Sequence, residues 1–242
     1  MTGKLYGLGL GPGDPDLITL KAHKILQKVP VIAWPAPDTG PSFARAIAAQ
    51  HLPGGQTEIP IVMPMRTERF PAREVYDKAS VEISVHLDAG RDVAVLCEGD
   101  PFFYGSFMYL YERLASDYDT EVVPGVSSMM AAASAAGRPL AARNDVLTVL
   151  PGPLCDEELT NRINASDALA IIKIGRHFKR LRALIAKLNL LTHAIYVERV
   201  SLDAERLMPL AEVPEDTAPY FSMILIYKGG EDWIHALPGS KT

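Results

Sequence analysis

The sequence predicts an α/β protein made of two α/β lobes. Short apolar runs of β type alternate with amphipathic helical stretches along the whole chain. Runs such as DVAVLC (92–97) and ALAIIKI (168–174) are apolar without alternation, as strands covered on both faces are. A polar stretch, SDYDT (116–120), falls near the middle and serves as the expected linker. The expected lobes are therefore 1–117 and 118–242.

The elements follow in order. KLYGLGL (4–10) reads as a strand that ends in a glycine-rich turn. Leu17, Leu20, Ile25 and Leu26 have roughly helical spacing and predict a helix over 17–28. A short buried strand is expected at 31–34, and a helix at 42–51 with Ser42 as its N-cap. A strand at 58–63 precedes a longer helix over 71–89. Its Val75, Ala79, Ile83 and Leu87 lie four apart on one face, and Gly90 stops it. The second half repeats the style. Strands are expected at 120–123, 145–150, 168–174, 193–197 and 220–227, and helices at 107–115, 128–136, 156–164 and 178–190. Strand–helix alternation implies a largely parallel sheet in each lobe, and the junction of two such lobes is a favoured place for a small-molecule cleft.

Composition narrows the function. Of 242 residues, 48% are hydrophobic and 22% charged, the balance of an ordered globular protein. No run approaches the ~20 apolar residues of a membrane span, and the start of the chain has no signal-peptide pattern, so a cytoplasmic protein with no membrane partner is expected. The two cysteines, Cys97 and Cys155, form no CxxC pair, and the six histidines form no HExxH, so no metal is expected. A net charge of −5 argues against a nucleic-acid partner but leaves room for a local basic patch that holds an anionic small molecule.

Three motifs have chemical potential, each at a strand end. In GLGLGPGDP (7–15), glycines let backbone approach a ligand closely. The spacing fails GxGxxG, because positions 12, 14 and 16 are Pro12, Asp14 and Asp16, and no Walker loop is present. Pro12 removes an N–H and Asp14 adds negative charge, so the loop suits a neutral or cationic ligand better than a phosphate. A plain tight turn would read the same way. In EGDPFFYG (98–105), Asp100 could face a cation or accept hydrogen bonds, and Phe102, Phe103 and Tyr104 offer flat apolar surface. A turn with core aromatics is the alternative. In VPGVSS (123–128), the two hydroxyls could contact a ligand or cap a helix.

Together, LGLGPGDPDLITLKA, VAVLCEGDPFFYGS and VVPGVSSMMAAASAAGRPL resemble the tetrapyrrole (cobalamin and sirohaem) methyltransferase superfamily over nearly the full length. GPSFARAIAAQHLPGGQ, the IVMPM segment and IIKIGRH are most similar to its branch that methylates precorrin-2 at carbon 20.

The resemblance implies a class III-type tetrapyrrole methylase fold, two lobes with a cofactor cleft between them and not the Rossmann-type methyltransferase. It implies S-adenosylmethionine as methyl donor, S-adenosylhomocysteine as product, a small tetrapyrrole as substrate and a homodimer. Carried over, Pro12, Glu98, Gly99, Asp100 and Phe103 line the cofactor pocket, and Ser127 and Ser128 contact its amino-acid end. Ile174 stands where relatives have Met. Val200 falls where some relatives have Gly, and Glu98 replaces the first Gly of the commoner GGDPF phrase. Tyr220 and Ser222 mark the adenine side. The proton that must leave the methylated carbon has Asp100, Glu98 and Tyr104 as candidate acceptors. Arg66, Arg69 and Arg73, and the group Arg176, His177, Lys179, Arg180 and Arg182, are candidate anchors for substrate carboxylates, with Arg176 favoured at its strand end. A solvated helix face with local charge pairs is the alternative for each. Uroporphyrinogen III, a cobalt-containing ring, or a non-enzymatic role as tetrapyrrole carrier remain rival readings.

Overall fold

A computed structural model of the protein describes residues 1–63, 71–214 and 216–235. They form two units, Met1–Ser127 and Ser128–Thr242. Arg66 and Arg69 lie outside the described residues.

The first unit holds a five-stranded sheet in the order β3-β2-β4-β1-β5. Its strands are β1 (Leu5–Gly9), β2 (Val31–Pro37), β3 (Thr57–Met63), β4 (Val93–Cys97) and β5 (Thr120–Val123). Every pairing is parallel. Helices cover both faces, which explains the continuous apolar runs. Leu5, Val31, Ala33, Val93, Val95 and Cys97 pack on α3 (Pro71–Asp88) and α4 (Phe107–Leu114). Leu8, Ile32, Ala94 and Leu96 point the other way, onto α1 (Leu20–Leu26) and α2 (Phe43–Ala48). Burial pushes the Cys97 thiol well above its ordinary value, so it is packing, not a nucleophile.

Local chemistry moves several boundaries. The helix expected from Leu17 starts at Leu20, because Thr19 accepts the Ala22 N–H at 3.2 Å and caps it there. Residues 15–17 form a separate 3-10 turn, whose cap is Asp14. Ser42 caps α2 as expected, accepting from the Arg45 N–H. β2 runs to Pro37. Pro35 and Pro37 fit because β4 pairs only with 31–33, so no ladder partner on that side needs their missing N–H groups. The lobe boundary expected at 117/118 is corrected to 127/128. SDYDT is the turn into β5, which pairs with β1 and belongs to the first sheet.

The second unit begins with α5 (Ser128–Ala135). Its sheet has the order β6-β7-β10-β8-β9, with β6 (Leu147–Pro151), β7 (Ala168–Ile172), β8 (Ala194–Glu198), β9 (Arg206–Pro209) and β10 (Ser222–Tyr227). The expected parallel sheet is corrected here, since β6 and β7 alone are parallel and the other pairings are antiparallel. For β8 and β9 the cause is connection length, since residues 199–205 are too few for a crossover and form a hairpin. α6 (Asp156–Asn164) and α7 (Phe178–Lys187) bury Leu159, Ile163, Phe178, Leu181 and Ile185 against Leu169, Ile171, Tyr196 and Ile224. A last helix, α8 (Asp232–His235), places Ile234 beside Ala168 and Tyr227.

Candidate functional site

The order β4-β1-β5 places three strand ends side by side. Gly9 is in register with Cys97, and Leu8 with both Leu96 and Val123. The loops that leave those positions are the three motifs. They meet at the carboxyl end of a parallel sheet, where open α/β folds bind ligands.

The first two loops meet backbone to backbone. The Gly11 N–H donates to Gly99 O at 3.2 Å, and the Gly99 N–H returns to Gly11 O at 2.7 Å. Both glycines have positive φ, +83° and +64°. A Cβ on Gly9 would lie 2.4 Å from Gly125 N, and one on Gly125 would lie 2.1 Å from Gly99 O. The glycines thus serve approach between loops, and the Gly11 and Gly99 N–H groups are spent on each other. A phosphate cradle needs such groups open. Asp14 accepts from the Asp16 N–H at 2.8 Å, which makes it a cap. Pro12 is buried.

Asp100 fastens the third loop. Its Oδ1 accepts from the N–H groups of Phe102 and Phe103 at 2.9 and 3.1 Å. Its Oδ2 accepts from the Gly125 N–H at 3.1 Å. Three backbone donors hold this carboxylate, so its evident work is positioning. Glu98, two residues earlier and directly after β4, differs. Burial pushes its carboxyl above the ordinary carboxylate value, and a hydrogen bond from the Ala44 backbone at the start of α2 pulls it partly back. Phe103 stacks edge-on against Tyr104, which is 44% exposed and has φ +55°. Ser127 and Ser128 are half-buried at the boundary of the two units.

In the second unit, four predicted residues fall at one end of the sheet. β7 and β8 flank β10 and both run antiparallel to it, so Ile174 and Val200, just past their ends, adjoin Tyr220 and Ser222 at the start of β10. The Ser222 hydroxyl donates to Pro219 O at 2.6 Å, and Tyr220 is exposed. Ile174 is fully buried in the core with Phe178 and Leu181, so it supports this end from below and offers no surface. Val200 is also buried.

The basic group after β7 divides. Lys179 and Arg182 share Asp216, each at 2.8 Å, and Arg182 also reaches Val213 O. Arg180 is held by Asp156 and Gly152 O. These three are local braces. Arg176 is exposed, and its Nε donates to His177 Nε2 at 3.3 Å. That bond needs a neutral His177. Burial, then the charges of Arg176 and Arg180, hold its pKa below the ordinary histidine value. Sequence reasoning missed the buried Glu198 and its arginines, described below. Its signal was a carboxylate directly after the apolar run of β8.

Comparison with known proteins places the chain. Residues 4–214 match the model of the Tetrapyrrole (Corrin/Porphyrin) Methylases. The chain is 43% identical over 235 residues to the cobalamin biosynthesis protein CobIJ of Mycobacterium bovis, covering 94% of this chain and 46% of that protein. It thus spans about half the length of that relative. It is 40% identical over 232 residues to the precorrin-2 C(20)-methyltransferase of Sinorhizobium sp, covering 93% of this chain and 95% of that one. A solved uroporphyrin-III C-methyltransferase from Thermus thermophilus, complexed with S-adenosylhomocysteine, shares the fold at a TM-score of 0.66. The two are 24% identical, over 92% of this chain and 97% of that one.

Proposed function

Because the chain belongs to the tetrapyrrole (corrin/porphyrin) methylase family, we propose that it methylates carbon 20 of precorrin-2 with S-adenosylmethionine, giving precorrin-3A and S-adenosylhomocysteine in cobalamin biosynthesis. The observation that carries this reading is the meeting of the three loops, Gly9–Gly13, Glu98–Tyr104 and Pro124–Ser127, on adjacent strand ends.

The loops fit the cofactor. Gly99 presents bare backbone, since a Cβ there would meet only Val126 O at 3.9 Å. With the Gly11 and Gly99 N–H groups spent and a carboxylate at Glu98, the loops suit a cation better than a phosphate. Pro12, Glu98, Gly99, Asp100, Phe103 and Ser127, all of the first unit, hold it. When bound, S-adenosylmethionine supplies an electrophilic methyl group on a sulfonium centre. Charge cancels as that methyl moves to an electron-rich carbon, so alignment and exclusion of water supply much of the rate, up to about 7–11 kcal/mol. Asp100 keeps the loops in register, and the Phe103 and Tyr104 rings shield the site. Carbon 20 gains the methyl and must release its hydrogen as a proton, with the C–H pair returning to the ring. Glu98 takes that proton. Burial raises its pKa, which suits a base. Arg176 holds a substrate carboxylate.

The protein works in the cytoplasm as a homodimer. No helix among the described residues is long and apolar enough to cross a membrane. Phe102, Met108, Tyr109 and Tyr111 are each about 40–50% exposed around α4, and such apolar surface suits a partner copy. Light scattering at twice the 26.4 kDa chain mass checks the dimer.

Calorimetry with S-adenosylhomocysteine separates an enzyme from a tetrapyrrole carrier, which would bind none. Asp100→Asn sharpens the test. Asn keeps an oxygen for Phe102 and Phe103 but turns an amide donor toward the Gly125 N–H. Affinity should fall about tenfold or more while the far-UV spectrum is kept, one charge-assisted bond being worth ~1.5–3 kcal/mol. Unchanged affinity would detach Asp100 from the cofactor site.

A further inference from the structure

One end of the second sheet has a buried carboxylate shared by two arginines. Glu198 closes β8 with its side chain 7% exposed. Its Oε2 accepts from Tyr196 Oη at 2.6 Å and its Oε1 from Arg199 Nη1 at 3.0 Å. Arg206 Nη1, at the start of β9, stands 3.7 Å from Oε2. Both guanidiniums remain partly exposed. A carboxylate buried this deeply is retained only with such partners, and it fixes both arginines in place.

The backbone holds Arg199 as well. Its φ is +49°, a conformation uncommon outside glycine, and its N–H donates to Phe221 O at 2.8 Å, between Tyr220 and Ser222. Lys173 and Arg176, just past β7, stand at the same sheet end. Glu205 accepts from the Ser201 N–H at 2.7 Å, and Asp203 is exposed in the same turn. Lys173, Arg176, Arg199 and Arg206 thus share a sheet end with Glu198, Asp203 and Glu205, and of these cations Arg199 and Arg206 stand against Glu198. A guanidinium has five N–H donors in a fork that matches a carboxylate, and the contact with Glu198 uses one nitrogen of Arg199.

We propose that Arg199, braced by Glu198, binds a carboxylate arm of the tetrapyrrole substrate. The site rests on the methyltransferase reading and names the chemical group that this sheet end takes. The carboxylate of the cofactor's amino-acid end offers the same chemistry, so the test separates the two sources.

Arg199→Met is compared with wild type for binding of uroporphyrin III, a stable tetrapyrrole with eight carboxylates, and of S-adenosylhomocysteine. The expected result is about tenfold weaker uroporphyrin binding and unchanged S-adenosylhomocysteine affinity, with the loss shrinking as salt rises; Glu198 loses a partner, so the melting temperature falls and binding is compared well below it. Arg199→Lys keeps the charge without the fork and should fall between the two; it gives the same reading if the methionine variant fails to fold. Equal uroporphyrin affinity in wild type and a folded variant overturns the site. A loss confined to S-adenosylhomocysteine assigns Arg199 to the cofactor and overturns it too. Wild-type protein that binds S-adenosylhomocysteine but no tetrapyrrole overturns the substrate reading, and this site with it.

Discussion

Gly125→Ala is expected to destabilise the first unit by about 3 kcal/mol or more, at the upper end of what an over-packed site costs. The new Cβ would sit 2.1 Å from Gly99 O and 2.8 Å from Gly9 Cα. All of these are backbone atoms. The Gly99 carbonyl cannot withdraw without breaking its bond from Gly11, and Gly9 is locked between β4 and the third loop. S-adenosylhomocysteine binding should be lost with the loop register. Gly230→Ala is the control, since nothing lies within 4 Å of a Cβ there. Urea denaturation of both variants checks the contrast. Equal midpoints would mean that the three loops do not depend on this approach.

Glu98→Gln is expected to cut turnover about 10²- to 10⁴-fold, the usual worth of a positioned acid or base. It should also raise stability at neutral pH. Burial raises the folded-state pKa of Glu98 above the ordinary carboxylate value, so the ionised form is penalised in the fold. That penalty is present above the folded pKa and vanishes below the unfolded one. Glutamine removes it, so the gain is largest at neutral pH and absent below about 4.5. Wild-type turnover should fall as pH drops through the raised pKa, and the variant should lack that limb. Loss of activity together with lower stability at neutral pH would point to a structural role for Glu98.

The sequence made the first sheet largely legible, because its central strands β1 and β4 are buried on both faces and each motif directly follows a strand. The partners of those motifs were not legible. Local spacing cannot show whether Asp100 meets a ligand or three backbone N–H groups, nor that Gly125 lies against Gly9, more than a hundred residues earlier. The second sheet was harder still. β9 is only four half-buried residues, RLMP, with no alternation to detect, and β10 returns between two strands that precede it. The resemblance set Ile174 where relatives have Met and could not show that its side chain lies in the core beside Phe178 and Leu181. The sequence favoured Arg176 for its strand-end place but could not show which of its basic neighbours are braces, as Arg180 is through Asp156.

The most direct measurement is an anaerobic incubation of the protein with S-adenosylmethionine and precorrin-2, with the pigment read by mass spectrometry and NMR. One added methyl group at carbon 20, with S-adenosylhomocysteine released in equal amount, is the predicted result. Turnover of uroporphyrinogen III or of the cobalt-containing ring alone, with precorrin-2 untouched, would contradict it.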